Sequence, residues 1–180
     1  MHPVISALAS DSQHAFSKVL RAELELVAGH GVAGDAHYGR LVQHLSRMKQ
    51  DPQQANRRQV HLIHAELLEE LAGKGFAVEP GQLGENVLTR GINLLGLSRG
   101  TRLRLGSQAL IEITGLRNPC KQINGLAPGL MEATLDRAPD GALIRKCGVM
   151  AVVVEGGMVR VDDAIELDSV PLAHEPLEPV

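Results

Sequence analysis

At 180 residues, with 44% apolar side chains but only two Phe, one Tyr and no Trp, the chain suits a single domain whose core is filled by Leu, Val, Ile and Ala. A formal charge of −3 and a pI near 6.2 give no overall basic surface, and with no local basic patch legible a nucleic-acid partner is not expected. No apolar run nears the roughly 18 residues of a membrane-spanning helix, two cysteines do not make a disulfide framework, and the first residues lack a basic start followed by an apolar stretch, so a cytoplasmic protein without membrane association is expected.

Residues 4–9 are an apolar run fit for a first strand. Residues 18–27 alternate, with Leu20, Ala22, Leu24 and Leu26 on one face and Arg21, Glu23 and Glu25 on the other, and read as one strand. Glycines then punctuate residues 29–39. The second half of that stretch, Gly34-Asp35-Ala36-His37-Tyr38-Gly39, gathers Asp35 and His37 on a tight loop that fits an Asx-type turn as well as a site. Residues 40–58 are polar and rich in Gln and Arg, and Asp51-Pro52 breaks any helix begun near Leu41. They read as a long loop or flap, a length uncommon in a compact domain unless functional or mobile. A strand at 59–63 leads into a helix at 65–72 through Leu67, Leu68 and Leu71, stopped by Gly73-Lys74-Gly75. His61 and His64 have the spacing of metal ligands on one helical turn, but the strand pattern at His61 points them to opposite faces, against a zinc site. Residues 80–87 form another glycine-punctuated loop, in which Glu85 and Asn86 are either turn formers or site residues.

Residues 91–100 connect to a hairpin of 101–105 and 109–114 across Gly106-Ser107. Its second arm, with Ile111 and Ile113 on one face and Glu112 and Thr114 on the other, breaks at Gly115 and delivers Arg117-Asn118-Pro119-Cys120-Lys121. Pro119 fixes its own φ and pushes Asn118 into an extended conformation, which stiffens the loop, while Arg117 and Lys121 set two cations near the sulfur. A thiol beside fixed positive charge favours the thiolate, the form that attacks electrophiles, carries sulfur or ligates metal. A free cysteine also serves as a small buried hydrophobe, and the local sequence leaves both open. Residues 125–136 read as a second short helix, 142–154 as an apolar strand holding Cys147 in a structural role, and Gly156-Gly157 as the turn of a closing hairpin with 158–167. Residues 170–180, with Pro171, Pro176 and Pro179, form a loose Pro-rich tail beyond a single domain at 1–169. Strands at short intervals, glycine corners and two short helices give a mainly β (α+β) fold, a closed or nearly closed barrel with a few flanking helices.

The order of motifs is more telling than any one of them: Gly34-Asp35-Ala36-His37-Tyr38-Gly39, Arg58-Gln59-Val60-His61-Leu62-Ile63, Pro80-Gly81-Gln82-Leu83-Gly84-Glu85-Asn86, Arg117-Asn118-Pro119-Cys120, then Gly148-Val149-Met150 and the final hairpin. Over residues 4–167 this resembles the MOSC domain, named after the C-terminal part of molybdenum-cofactor sulfurase, and is most similar to the bacterial stand-alone branch that includes the hydroxylaminopurine-detoxifying proteins. The resemblance implies a MOSC β-barrel and a cysteine, Cys120, that ligates the molybdenum of a pterin cofactor or carries sulfur as a persulfide. It implies Arg117, Asn118, Lys121, Asp35, His37, Glu85 and Asn86 as cofactor-binding residues. The activity implied is reduction of small N-hydroxylated compounds. No flavin or nicotinamide fingerprint is present, so an external electron-transfer protein is the expected donor. The alternatives are a sulfur carrier loaded by a cysteine desulfurase for delivery to a metal–sulfur centre, and a non-catalytic pterin- or anion-binding module. Pyridoxal phosphate belongs to the fused sulfurases and is not expected in this chain itself. In the two-domain members that reduce N-hydroxylated substrates an arginine stands directly before the cysteine; here Pro119 takes that place. The sequence is compatible with an oligomer and does not specify one.

Overall fold

The computed structural model describes residues 2–180. Its strands are β1 (Val4–Ser10), β2 (Val19–Arg21), β3 (Glu23–Val27), β4 (Gly31–Val32), β5 (Val60–His64), β6 (Val87–Arg90), β7 (Arg102–Leu105), β8 (Ala109–Leu116), β9 (Leu135–Arg137), β10 (Leu143–Arg145), β11 (Val149–Glu155), β12 (Gly157–Arg160) and β13 (Ile165–Ser169). The helices are α1 (Leu45–Met48), α2 (Ala65–Gly73) and α3 (Leu130–Ala133).

Alternation of apolar side chains builds one large sheet in the order β13-β7-β8-β11-β5-β6-β1-β2. In β8, for example, Ala109, Ile111 and Ile113 point inward, and Leu105 pairs with Ala109 across the expected hairpin turn. Among the described residues only β5 and β6 pair in parallel in this sheet, and α2 supplies the crossover that a parallel pair requires. The sheet curls until its flanks touch: Val4 bridges Ala164, and Ile5 N donates to Asp163 O at 2.9 Å. That seam is a bridge and not a ladder, so the molecule is barrel-like without being fully closed. A second sheet, β12-β3-β4, lays Leu24, Leu26, Val32 and Val159 into the same core as Ile5, Leu62, Ile111 and Val149.

A second apolar cluster lies on the opposite face of β5 and β6. There Ile63 and Leu88 meet Leu67 and Leu71 of α2, together with Leu83, Ile123, Leu130 and Cys147. Each fully buried side chain of this size contributes about 1.5–3 kcal/mol. Burial of Ile123 therefore holds down the stretch that follows Cys120.

Several sequence expectations are corrected. Residues 18–27 are two strands, because β2 joins β1 while β3 turns into the second sheet; Leu20 is 56% exposed. The run 142–154 also splits: β10 pairs with β9, β11 pairs with β8 and β5, and Cys147 sits in the bend between them. The closing hairpin does not form, since β12 pairs with β3 and β13 with β7, so Gly156-Gly157 carries the chain from one sheet to the other. The helix expected at 125–136 shrinks to α3. The tail is docked and not loose: Leu116 N donates to Glu178 O at 2.8 Å, Val180 N donates to Leu116 O at 3.2 Å, and Arg99 pairs with Glu175. Gly115 permits that approach, because a Cβ there would collide with Glu178 O.

Candidate functional site

Loops between the strands converge on a cavity of about 590 Å³. Its wall includes His14, Phe16 and Lys18 ahead of β2, His37 from the first glycine loop, His44, Leu45 and Lys49 of the flap, and Arg58 and His61 at β5. Gly84, Asn86, Arg117, Cys120 and Lys121 complete it.

Cys120 is half-buried at the start of the 3-10 turn Lys121–Gly125. Two anchors place it. Arg117 N donates to Gly148 O at 3.0 Å, which ties the end of β8 to the start of β11, and the buried Ile123 donates its N–H to Cys120 O at 3.1 Å. The thiol lies 3.5 Å from Gln122 Oε1. Cys147 is different: it is fully buried, it does not line the cavity, and burial pushes its thiol up. Its carbonyl accepts from His61 Nε2 at 2.8 Å.

Among the described residues five basic side chains, Lys18, Lys49, Arg58, Arg117 and Lys121, border the cavity, and no carboxylate does. Arg117 lies over the Phe16 ring, 5.6 Å from its centroid, and its Nη1 is buried with no hydrogen-bond partner among the described residues. A buried N–H left unpaired costs roughly 1–3 kcal/mol, which an anion in the cavity would relieve. Burial, with Arg47 and Arg117 nearby, lowers Arg58 to about 10, still charged at neutral pH. Burial and the neighbouring Arg58, His37 and Arg117 bring His44 down to about 4, and burial with Arg117 holds His61 well below its ordinary value. The positive field near neutral pH thus comes from arginine and lysine, not from these two imidazoles.

Asp35 and Glu85 lie behind the wall. Asp35 Oδ2 accepts from Lys18 Nζ at 2.8 Å and from Asn86 Nδ2 at 3.0 Å; Oδ1 accepts from His37 N at 3.0 Å and from His37 Nδ1 at 3.2 Å. Burial pushes this carboxyl up, but the bonds from His37 and the charge of Lys18 outweigh it and hold the group well below the usual carboxylate range. The Asx-type turn and the site are therefore one object, since Asp35 fixes three side chains that line the cavity. Burial lowers the Lys18 ammonium, with Asp35 opposing. Glu85 Oε1 accepts from Gly81 N at 2.5 Å, its Oε2 is buried without a partner, and burial pushes the carboxyl up.

Of the residues expected from sequence, Cys120, Arg117, Lys121, His37 and Asn86 line one cavity, with Lys121 on its exposed rim. Asn118 does not: it is exposed, and its Oδ1 accepts from Arg145 Nε at 2.9 Å. Among the described residues no three His, Cys, Asp or Glu side chains are grouped to hold a metal ion. Lys18 belongs to no motif, but it shares the parity of Leu24 and Leu26 and so stands as a charge at an inward position. In the sequence Arg58 stands only as part of a motif, and His61 as part of that motif and of a metal-ligand spacing with His64 that its strand position argues against. Nothing marked His14 or Phe16, which lie on an irregular loop.

A family model described as the MOSC domain matches residues 34–166. Among solved structures, YuaD from Bacillus subtilis is 25% identical, with a TM-score of 0.74 over 92% of this chain and 94% of that one. YiiM from Escherichia coli is 22% identical, with a TM-score of 0.60 over 96% of this chain and 73% of that one. YiiM from Geobacillus stearothermophilus is 15% identical, with a TM-score of 0.65 over 93% and 75%. These last two share the fold. A search of curated proteins gives no significant match.

Proposed function

The chain belongs to the MOSC domain family, and on that premise we propose that its cavity binds a molybdenum–pterin cofactor through Cys120 and reduces small N-hydroxylated compounds. The observation that carries this is a thiol set in a wall of five cations with no carboxylate, one of them an arginine whose Nη1 has no partner. Such a wall suits a phosphate dianion, and a thiolate is a suitable soft donor to molybdenum. Arg117 offers a guanidinium that grips phosphate with two hydrogen bonds, and Lys121, Lys49 and Arg58 add charge. When bound, the cofactor supplies two-electron redox chemistry. Two electrons from an external redox protein and two protons convert the N-hydroxyl compound into the amine and water, with cleavage of the N–O bond. As the imidazolium, with Nδ1–H donated to Asp35, His37 carries a second proton on Nε2, taken up from solvent, and this is the proton it hands to the departing hydroxyl before being reprotonated from solvent. A cavity of about 590 Å³ falls within the size of small-ligand sites.

The test is purification from molybdate-supplemented cells, with metal analysis and an assay for cyanide-released sulfur. Molybdenum in the wild type and in Cys147→Ala, lost in Cys120→Ser, is expected. Arg117→Ala should weaken cofactor binding by about 1.5–3 kcal/mol, read as molybdenum per chain. Persulfide without molybdenum would favour the sulfur carrier, and neither would leave an anion-binding module.

A further inference from the structure

The flap, residues 40–58, carries Arg40, Arg47, Lys49, Arg57 and Arg58 against a single acid, Asp51, in a chain whose formal charge is −3. This concentration was not legible as a patch, because the bases are scattered through a polar stretch. Among the described residues Arg40, Arg47, Lys49 and Arg57 form no ion pair. Elsewhere Lys74, Arg90, Arg99, Arg102, Arg104 and Lys146 are paired with carboxylates, and Arg21, Arg137 and Arg145, without ion pairs among the described residues, donate to Ser10 Oγ, Gly141 O and Asn118 Oδ1. The flap that carries these cations is anchored through its backbone: Leu41 bridges Ala55, Asn56 N donates to Arg40 O at 2.9 Å, and Asn56 Nδ2 donates to His37 O and Gly39 O. Three apolar side chains of the same flap face solvent, Leu41 at 41%, Leu45 at 55% and Met48 at 38% exposure, and Leu45 also lines the cavity.

We propose that this flap is the docking surface for an acidic electron-transfer protein, which seats on Leu41, Leu45 and Met48 and is steered there by Arg40, Arg47 and Arg57. The inference rests on the reductase reading, under which electrons must enter from outside, and the flap is the part of the cavity wall that combines free charge with exposed apolar surface. Complementary charge of this kind raises encounter rates and orients partners in weak, short-lived redox complexes, whose interfaces are small. Arg40, Arg47 and Arg57 do not line the cavity, so reversing them changes none of the side chains that form its wall, and the viologen-supported rate reads any effect of Arg47 on the neighbouring Arg58.

The experiment compares the wild type with R40E/R47E/R57E in two assays. One is a titration of an acidic flavodoxin, followed by its flavin signal. The other is reduction of an N-hydroxylated purine, with electrons from the reduced flavodoxin or from dithionite-reduced methyl viologen. The variant should bind flavodoxin at least about tenfold more weakly at low salt, with the gap closing as screening sets in by roughly 0.3 M salt. Its flavodoxin-supported rate should fall with it, while the viologen-supported rate stays unchanged. Equal binding by variant and wild type overturns the proposal. So does wild-type binding to phosphatidylserine vesicles with none to flavodoxin. If viologen fails to drive reduction in the wild type while the triple reversal still abolishes flavodoxin binding, the reductase reading falls and the docking surface stands.

Discussion

Two glycine-cornered loops meet behind the cavity, and each buries one carboxylate. In residues 34–39 Asp35 has partners on both oxygens, among them the Lys18 ammonium. In residues 81–86 Glu85 has a backbone N–H on one oxygen and nothing on the other. Burial opposes charge in both places. The outcome differs because Asp35 has a hydrogen-bonded cation and a second side-chain donor to set against burial, whereas Lys18 reaches Glu85 through its charge alone, so the carboxyl of Asp35 is driven down while that of Glu85 is driven up. Burial alone does not decide the state of an acid; the number and charge of its partners do. Asn86 Nδ2 donates to Asp35, so the second loop also completes the first.

The sharpest way to break this contrast is Asp35→Ala, which leaves Lys18 buried and unpaired. Removing one partner of a buried ion pair costs about 3–5 kcal/mol, to be read from denaturant unfolding, and His37 and Asn86 should lose their fixed positions with it. The stability Asp35 contributes is present above its unfolded pKa of about 3.9 and is lost as pH falls toward its lower folded value.

The next effect separates the loops by backbone. Gly34 and Gly81 both have positive φ, at 76° and 85°, but a Cβ on Gly34 meets nothing within 4 Å, whereas one on Gly81 comes 2.6 Å from Lys18 O. Gly34→Ala should cost only the left-handed penalty of about 1–2 kcal/mol. Gly81→Ala should cost more than that, because Lys18 must also move, and the shift of Lys18 should appear as weakened anion binding. Equal losses for the two variants would show that the second loop yields freely.

The smallest effect has the opposite sign. Glu85→Gln keeps an acceptor and cannot ionise, so it should be neutral at low pH and stabilising by up to about 1 kcal/mol once the pH exceeds the raised folded pKa of the carboxyl. The sign follows from the raised folded pKa: the favourable state is fully present below the unfolded value of about 4.3 and is lost as pH rises through the folded one. Thermal melts at increasing pH should therefore fall more steeply for the wild type than for E85Q. A wild-type curve as flat as that of the variant would mean that Glu85 has a partner for its second oxygen.

Local features were legible from sequence and partnerships were not. The β7–β8 hairpin is legible because Gly106-Ser107 joins two strands that pair with each other. The same logic failed at Gly156-Gly157, where an equally good turn sends β12 to β3. Alternation reports which side chains share a face and says nothing of which strand lies alongside, so residues 18–27 looked like one strand while serving two sheets. The site follows the same division. Cys120 and Arg117 stand out within a few residues of each other, but the bond from Lys18 to Asp35 spans two loops and depends on the fold. Asn118, close to Cys120 in sequence, turns instead to Arg145.

The seam at Val4 and Ala164 has a consequence in time. It joins the first strand to the last, so its closure requires that nearly the whole chain already be collected, and contacts of such high sequence separation are slow to form. With a bridge in place of a ladder, the seam also gains little once made. The ring should therefore be the last part of the molecule to assemble and the first to open, and the amides of Ile5 and Ile165, both bonded across it, should exchange with solvent ahead of their neighbours in β6 and β7.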